Sequence, residues 1–520
     1  MKEAKHVGWS TRWGMILAMA GSATGLGNFL RFPVQASQNG GGAFIVPYLV
    51  SLVILGIPLM WMEWAMGRYG GAFSRGSLPS VFHLLWPSRV AKYLGGIGIL
   101  LTFVVSVYYL YIESWSLAYS FFALTGRFEQ ITEHTQMASF LKGFQGLEKN
   151  EFFQGGSWAY FFLLVTLAIN LWILSRGISK GIERCAKIAM PLLFLMGVVL
   201  VVRVFSLGSP VRPDWNLSGA LGFLWNPDFK ALDNPGVWLA AAGQVFFTLS
   251  LGWGQILTYA TYLHKNDDIA LSGLTTVSLN EVCEVILGAS IGIIAACLFF
   301  GPTVTVDIAN GGSFDLGFVS MPAIFTQIPA GRLFAFMWFL LLFFAGITSS
   351  IALIQPSVHF LSSAFDMDST RASSIVGVAI LLCVQPVYFF LSKGYLDELD
   401  FIAGTMGIVF FGLIEVILFV WVFGTNRAWQ EITRDNDIVI PSFFKPILTW
   451  VTPFLLLVLF LAWCVEKAPE FLFFEGIPED QIVARLAARG FVLMMFVVVC
   501  VLIKLKKERL TQPAVLGVSE

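Results

Sequence analysis

Gly21-Ser22-Ala23-Thr24-Gly25-Leu26-Gly27-Asn28 and Thr248-Leu249-Ser250-Leu251-Gly252-Trp253-Gly254 are two glycine-rich stretches, and each interrupts a long apolar segment. Each segment is long enough to cross a bilayer, so each interruption exposes backbone groups at membrane depth. Such backbone is tolerated only where it is buried in protein or lines a polar cavity. The N-terminal end of a broken helix attracts anions, and freed carbonyl groups attract cations. The two stretches therefore predict a site for a substrate and ions.

The composition is typical of a protein with many membrane spans. Of the 520 residues, 57% are hydrophobic and 12% are charged, whereas soluble domains carry roughly 25% charged residues. Apolar stretches of about 20 residues predict about twelve spans, near residues 12–37, 42–66, 94–124, 158–175, 185–206, 237–262, 272–300, 333–363, 372–392, 401–424, 447–465 and 486–503. The predicted fold class is an all-α polytopic membrane protein.

Charge and cysteine placement give the orientation and exclude some functions. Twelve spans put both termini on one side, and most of the 32 Lys and Arg residues fall on that side. The positive-inside rule then predicts cytoplasmic termini and a multi-pass protein of the cell (inner) membrane. A net charge of −1 argues against a nucleic-acid partner. The six cysteines lie in apolar spans, so we expect neither a disulfide framework nor a zinc site.

The two broken segments divide the chain into related parts. We predict a single domain, 1–520, in which each break lies in the first span of a half, 10–206 or 237–424. Because each half has five spans, the two would form an inverted repeat. Residues 443–505 supply two appended spans and 506–520 a cytoplasmic tail. The outer loop 301–329 predicts short helical pieces over a vestibule.

Neutral oxygen atoms cluster at the breaks and in spans 7 and 8. The side chains are Asn28, Thr248, Asn280, Thr348 and Ser349, and the freed carbonyl groups are those of Gly21, Ala23, Thr24 and Ala345. Such a set suits a monovalent cation, since calcium would need several carboxylates. A single Ser or Thr in a span more often bonds the preceding turn or helps helices pack. Two adjacent hydroxyls beside two broken helices favour an ion site.

Acidic residues inside spans are costly and usually mark function. Glu63 has two interpretations: an acceptor for the freed amides of the second break, which we prefer, or a proton site. Glu284, one turn after Asn280, is either a protonated structural acid or a functional group, and both remain open.

The stretch Gly25-Leu26-Gly27-Asn28-Phe29-Leu30-Arg31-Phe32-Pro33 resembles the neurotransmitter:sodium symporter family. Similar stretches at 39–69, 107–115, 177–191, 236–262, 280–288, 344–356 and 396–412 extend the resemblance over about 90% of the chain. The resemblance implies a sodium-coupled symporter that works by alternating access, built as a 5+5 inverted repeat with broken spans 1 and 6. The broken-helix architecture is a known property of the family.

The resemblance also implies a substrate site between spans 1, 3, 6 and 8. The substrate carboxylate would meet the amides of Leu26 and Gly27 and the hydroxyl of Tyr109. Its ammonium would face oxygens of Ala23, Phe247, Thr248 and Ser250. The side-chain pocket would be lined by Val105, Phe247, Trp253, Ser349, Ser350 and Leu353.

Two sodium ions and a gate follow from the same resemblance. The first ion would be held by the substrate carboxylate and by Ala23, Asn28, Thr248 and Asn280. The second would be held by Gly21, Thr24, Ala345, Thr348 and Ser349. Arg31 and Asp400 would form the outer gate, with Phe247 and Tyr109 as the lid beneath it.

Three positions discriminate within the family. Gly25 stands where amine transporters have an aspartate, so the substrate has to bring its own carboxylate, as an amino acid does. Glu284 stands where chloride-dependent members have a small neutral residue, which predicts chloride independence. Trp253 replaces a smaller phenylalanine and favours small neutral or hydrophobic amino acids, while an aromatic substrate stays the alternative.

Other readings are a channel, a sodium-dependent amino acid sensor and an intramembrane enzyme. The scattered histidines pair with no candidate nucleophile, so we expect no enzyme. The expected partners are a small neutral amino acid and the lipid bilayer, and a homodimer is left open. His6 and Ser363 replace the usual ion pair of the inner gate, and how that gate closes is left open.

Overall fold

The computed structural model describes residues 8–505, which are almost entirely helical and contain no strand. Within this part of the chain, ten helices are long and apolar enough to cross a membrane: Gly42–Ala72, Arg89–Thr125, Ser157–Ser175, Ile178–Phe205, Ala270–Asn310, Gly331–Phe365, Ser369–Phe389, Tyr395–Val422, Phe444–Phe473 and Glu479–Leu505. Two further spans are broken, the first into Arg12–Ala23 and Leu26–Gln38 and the sixth into Pro235–Thr248 and Gln255–Ala260. The predicted fold class and the two broken spans are confirmed.

Several helices extend beyond the predicted apolar windows, because helical hydrogen bonding does not stop where the apolar sequence ends. Span 7 runs to Asn310 through a kink at Gly301, whose φ of 80° is a conformation that favours glycine.

The inverted repeat of residues 10–206 and 237–424 stays a prediction. The tail 506–520 and His6 lie outside the described residues.

The outer loops are partly helical, as predicted for 301–329. Apolar helical turns cover Ser313–Thr326, and a separate helix, His134–Gln145, follows span 3. His134 Nε2 lies 2.7 Å from a carboxylate oxygen of Asp315. This hydrogen bond raises the pKa of His134, against the opposing effect of its partial burial. The pair ties two outer loops together.

Spans 3 and 8 pack closely against each other along their length. A Cβ on Gly346 would lie 2.8 Å from Cγ of Glu113, so only glycine lets the two helices approach this closely. Asn170 of span 4 donates to Glu113 at 3.3 Å and accepts a hydrogen bond from Ser350 at 2.7 Å. This buried network joins spans 3, 4 and 8 next to the broken helices.

Candidate functional site

The second break is held open by backbone conformation and by a buried acid. Ser250, Gly252 and Gly254 all have φ between 56° and 80°, where glycine is favoured. A Cβ on Gly252 would also lie 2.2 Å from the carbonyl oxygen of Ile408. The amide of Gly252 donates to Oε1 of Glu63 at 2.7 Å. The preferred interpretation of Glu63, an acceptor for a freed amide, is confirmed.

The amides freed at the first break are bonded by Asn28 of the same span and by Tyr109 of span 3. The helix Arg12–Ala23 ends, and Leu26–Gln38 begins after Gly25 as its N-cap. Asn28 Oδ1 accepts from the amide of Gly25 at 2.8 Å, and the amide of Leu26 donates to the Tyr109 hydroxyl at 3.1 Å. A Cβ on Gly25 would lie 2.8 Å from Ser349 Oγ and 2.9 Å from the Tyr109 oxygen. A side chain at residue 25 would therefore collide with this donor set.

The two breaks face each other across a small cavity. The Ser250 hydroxyl donates to the carbonyl oxygen of Ser22 at 2.9 Å, which joins one break to the other. About 20 Å³ of free space remains between them. The lining residues come from spans 1, 3, 6 and 8: Ala23, Gly25, Gly27, Asn28, Tyr109, Phe247, Thr248, Ser250, Trp253, Gln255, Ser349 and Leu353. None of them is acidic.

Three residues predicted for the substrate site do not line the cavity. Val105 and Leu26 are buried but do not line the cavity. Ser350 donates to Asn170 and to the carbonyl of Ile347, so its hydroxyl belongs to the scaffold network rather than to the pocket. Because Ser349 and Ser350 are adjacent on a helix, they point about 100° apart, and sequence proximity alone could not decide which one lines the cavity.

The oxygens expected for the first ion meet in one buried cluster. Asn28 Nδ2 lies 2.8 Å from Asn280 Oδ1 and 3.1 Å from Thr248 Oγ1. Asn280 Nδ2 donates to Thr248 Oγ1 at 3.0 Å. All three side chains are at most 1% exposed. Spans 1, 6 and 7 thus bring together the three side chains predicted for this site.

Glu284 completes the cluster on the side away from the cavity. Its carboxylate accepts hydrogen bonds from Tyr48 at 2.7 Å, from Thr248 at 2.5 Å and from Gln244. The side chain is fully buried. Hydroxyl and amide groups that could hold an anion are therefore gathered around a carboxylate that belongs to the protein.

The oxygens expected for the second ion also converge. The Ser349 hydroxyl lies 3.3 Å from the carbonyl oxygen of Gly21 and 3.4 Å from that of Thr24. Thr348 Oγ1 lies 3.2 Å from the carbonyl oxygen of Ala345. A Cβ on Gly21 would lie 2.9 Å from Cβ of Thr348, so spans 1 and 8 are in close contact here. The arrangement gives five neutral oxygens within one small region, which suits a monovalent cation.

The outer side of the cavity is covered by an aromatic lid. Phe247 lies directly over Gly27, and the Arg31 guanidinium stacks on its ring at 4.2 Å. Asp400 accepts a hydrogen bond from Tyr108 at 2.6 Å and forms no direct ion pair with Arg31. The lid therefore rests on a cation–π contact, and the predicted gate residues stand near it without touching each other.

The inner side is closed by Trp9 and by contacts of Glu183 that the sequence did not indicate. Trp9 Nε1 donates to the carbonyl oxygen of Tyr259 at 3.2 Å. Glu183 of span 5 accepts from the amide and hydroxyl of Ser10, from Thr11 and from Lys187 at 2.6–3.0 Å. Ser10 and Thr11 are 173 and 172 positions from Glu183 in the sequence, so no local pattern predicts these hydrogen bonds.

Further inner contacts involve Arg12, which binds Asp268 at 2.8 Å and Asp437 at 2.5 Å. The pKa of Asp268 is lowered because backbone and Ser272 hydrogen bonds outweigh its partial burial. Ser363 bonds only the carbonyl of Phe360, in its own helix. Closure at this end therefore uses the Glu183 and Arg12 contacts among the described residues.

A family model described as the sodium:neurotransmitter symporter family matches residues 6–142 and 128–509. A sodium-dependent transporter of Methanocaldococcus jannaschii is 31% identical over 465 residues, which cover 88% of this chain and 90% of the relative. The chain belongs to the sodium:neurotransmitter symporter family. It is a multi-pass, sodium-dependent transporter and not an enzyme.

Two further similar proteins have a substrate or a ligand in their names. The human sodium- and chloride-dependent neutral and basic amino acid transporter B(0+) is 24% identical over 524 residues, covering 87% of this chain and 78% of its own. The crystal structure of MhsT in complex with L-phenylalanine is similar to this structure, with a TM-score of 0.75 and 30% sequence identity. The match covers 88% of this chain and 99% of the MhsT chain.

The role of Glu63 predicts a stability effect. Glu63→Leu would leave the buried Gly252 amide without an acceptor, so we expect a loss of about 1–3 kcal/mol, seen as a lower unfolding temperature in detergent. Glu63→Gln keeps a carbonyl oxygen at this place and should retain most of the stability. A leucine variant as stable as the wild type would contradict the assigned hydrogen bond.

Proposed function

We propose that this transporter is a sodium-coupled symporter of neutral, hydrophobic amino acids, that it works by alternating access, and that it needs no chloride. The observation that carries the proposal is the cavity between the two breaks. The Tyr109 hydroxyl lines this cavity and accepts from the Leu26 amide behind it, while the freed carbonyl oxygen of Ser22 accepts from the Ser250 hydroxyl at the opposite break. A carboxylate fits the first group and an ammonium fits the second, so the site matches a zwitterion.

The absence of an acidic side chain in the cavity lining favours amino acids over amines. An aspartate at residue 25 would collide with Ser349 and Tyr109. The cation cluster at Asn28, Thr248 and Asn280 then lacks a carboxylate of its own within the cavity. The substrate carboxylate can supply that ligand, which would couple amino acid binding to sodium binding directly.

Two sodium ions would give the transporter a large driving force. A tenfold gradient supplies about 1.4 kcal/mol per ion, and a potential of about 100 mV adds about 2.3 kcal/mol per charge. Two ions therefore supply about 7.4 kcal/mol, enough to concentrate a zwitterion roughly 10⁵-fold.

In the proposed cycle, spans 1, 2, 6 and 7 rock against spans 3, 4 and 8 after the lid closes.

The proposed second ion site predicts that removing the Thr348 hydroxyl weakens sodium binding, whereas removing the nearby Ser350 hydroxyl does not. Thr348→Ala should lower the apparent sodium affinity at least tenfold, because it removes a ligand oxygen while the hydroxyl otherwise bonds only carbonyls of its own helix. Asn28→Ala should abolish sodium-dependent binding. The measurement is amino acid binding to purified protein as a function of sodium concentration.

Ser350→Ala is the matched control, since this hydroxyl bonds Asn170 and lies outside the cavity. Its sodium dependence should equal that of the wild type. Equal sodium affinity in Thr348→Ala and the wild type would remove the second ion site from the proposal.

Trp253 sets the size of the substrate side chain. It meets Phe247 edge to face, with ring centroids 6.0 Å apart, and we infer that it shortens the pocket so that small hydrophobic amino acids bind best. The second candidate is an aromatic amino acid, favoured by the similarity to MhsT bound to L-phenylalanine.

A panel of amino acids and monoamines, tested in sodium and in potassium, separates the candidates. We expect sodium-dependent binding of small neutral amino acids, and Trp253→Phe should shift the preference toward larger side chains. Tighter binding of tryptophan or phenylalanine by the wild type would establish the aromatic candidate instead. Proteoliposome uptake driven by a sodium gradient then distinguishes a transporter from a sensor.

Glu284 supports chloride independence, because its carboxylate already occupies the centre of the Tyr48, Gln244 and Thr248 donors. Glu284→Ser should make transport chloride-dependent, measured as uptake in chloride against gluconate. Wild-type uptake should be the same in both anions. A Glu284→Ser variant that transports equally well in both would exclude this role.

A further inference from the structure

A groove of about 530 Å³ opens on the outside of the bundle between spans 4, 5 and 8. It shares no lining residue with the cavity between the two breaks. Its walls are largely apolar, and Trp172 and Ile188 are 58% and 54% exposed there. Apolar side chains this exposed on a membrane-spanning helix face lipid, so the groove opens into the bilayer.

One end of this groove is strongly basic. Arg176, Lys180 and Arg184 line it, all three are exposed, and no acidic residue lines it with them. Within residues 8–505 none of the three forms an ion pair or a side-chain hydrogen bond. Arg176 instead stacks on the Trp172 ring at 4.1 Å. Lys180 and Arg184 are four residues apart and so share one helix face. Three cations are thus available to one anionic ligand.

The basic end lies at a membrane surface. Arg176 directly follows span 4, Ser157–Ser175, and Lys180 and Arg184 belong to the first turns of span 5, Ile178–Phe205. Glu183, in the same turns, bonds Ser10 near the start of span 1. The basic end is therefore on the same side as the start of span 1, which the charge distribution predicts to be cytoplasmic, where anionic lipids attract basic segments.

We propose that this groove is a binding site for an anionic phospholipid, whose phosphate lies among Arg176, Lys180 and Arg184. Basic pockets between spans at the cytoplasmic side are suited to such head groups. The apolar wall continues from Lys180 to Ala189, a helical rise of about 13 Å, with Phe344 and Ile347 of span 8 opposite. That wall receives part of an acyl chain.

The lipid would contact two elements that border the site. Phe344 and Ile347 are in the same turn of span 8 as Ala345 and Thr348. Span 5 carries Glu183, which holds the beginning of span 1 through Ser10 and Thr11. A lipid bound here therefore stabilises the packing of span 5 against span 8. The proposal does not rest on the assigned substrate or ions.

The test compares lipid binding by the full chain and by two triple variants. Native mass spectrometry in detergent would measure retention of phosphatidylglycerol and of phosphatidylcholine with the same acyl chains. Arg176→Gln/Lys180→Gln/Arg184→Gln should bind phosphatidylglycerol at least tenfold more weakly than the wild type. The matched control is Arg89→Gln/Arg427→Gln/Lys504→Gln, which removes three exposed cations elsewhere and should bind like the wild type.

Three results would overturn the proposal. They are equal binding of both lipids by the wild type, equal loss in both triple variants, and full competition by millimolar inorganic phosphate, which would indicate a site for a soluble anion. The unfolding temperature of each variant in phosphatidylcholine nanodiscs verifies folding. If the groove variant is unstable there, the single variant Lys180→Gln replaces it, with an expected loss of about threefold to tenfold.

Discussion

Polar backbone at membrane depth has to find partners inside the protein, and this constraint organises the centre of the molecule. Each break exposes amides and carbonyls that lipid cannot satisfy. Asn28 accepts from Gly25, Glu63 accepts from Gly252, and Ser250 donates to the carbonyl of Ser22. These three hydrogen bonds let two helices stop and restart next to each other. The remaining unpaired carbonyls and amides then become the polar surface of a cavity.

Three buried carboxylates accept hydrogen bonds from different groups in different parts of the bundle. Glu63 holds the second break, Glu284 gathers the donors behind the first ion cluster, and Glu183 closes the inner end by binding Ser10 and Thr11. Glu415, fully buried, lies beside Glu63. Acids in membrane spans are often read as functional groups, yet here the partners show that Glu63 and Glu183 serve as acceptors for backbone and hydroxyl donors.

The sequence was sufficient to predict the twelve spans, the two breaks and the role of Glu63, because apolar length and glycine clusters are local signals. The neutral oxygens of Asn28, Thr248 and Asn280 indicated a cation site by their chemistry, and a family resemblance assigned the three to one ion. Contacts such as Glu183 with Ser10, Ser350 with Asn170 and Glu63 with Glu415 were not predicted. Each depends on how distant helices rotate against one another, which local composition does not encode. The orientation of Ser350 shows that even adjacent residues require the packed structure.

One turn of span 8 contacts both span 1 and span 4 through adjacent serines. Ser349 touches the carbonyls of Gly21 and Thr24 in span 1, while Ser350 is fastened to Asn170 in span 4. If span 1 tilts as a unit, the carbonyl oxygens of Gly21 and Thr24 move away from the Ser349 hydroxyl. That hydroxyl stays in place because span 8 is bonded to span 4 through Ser350 and Asn170. A cation held by both spans across this seam would lose two of its five ligands, the carbonyl oxygens of Gly21 and Thr24, in the tilted form. A ligand shifts an equilibrium only by its difference in affinity between two forms, and a seam of this kind supplies that difference.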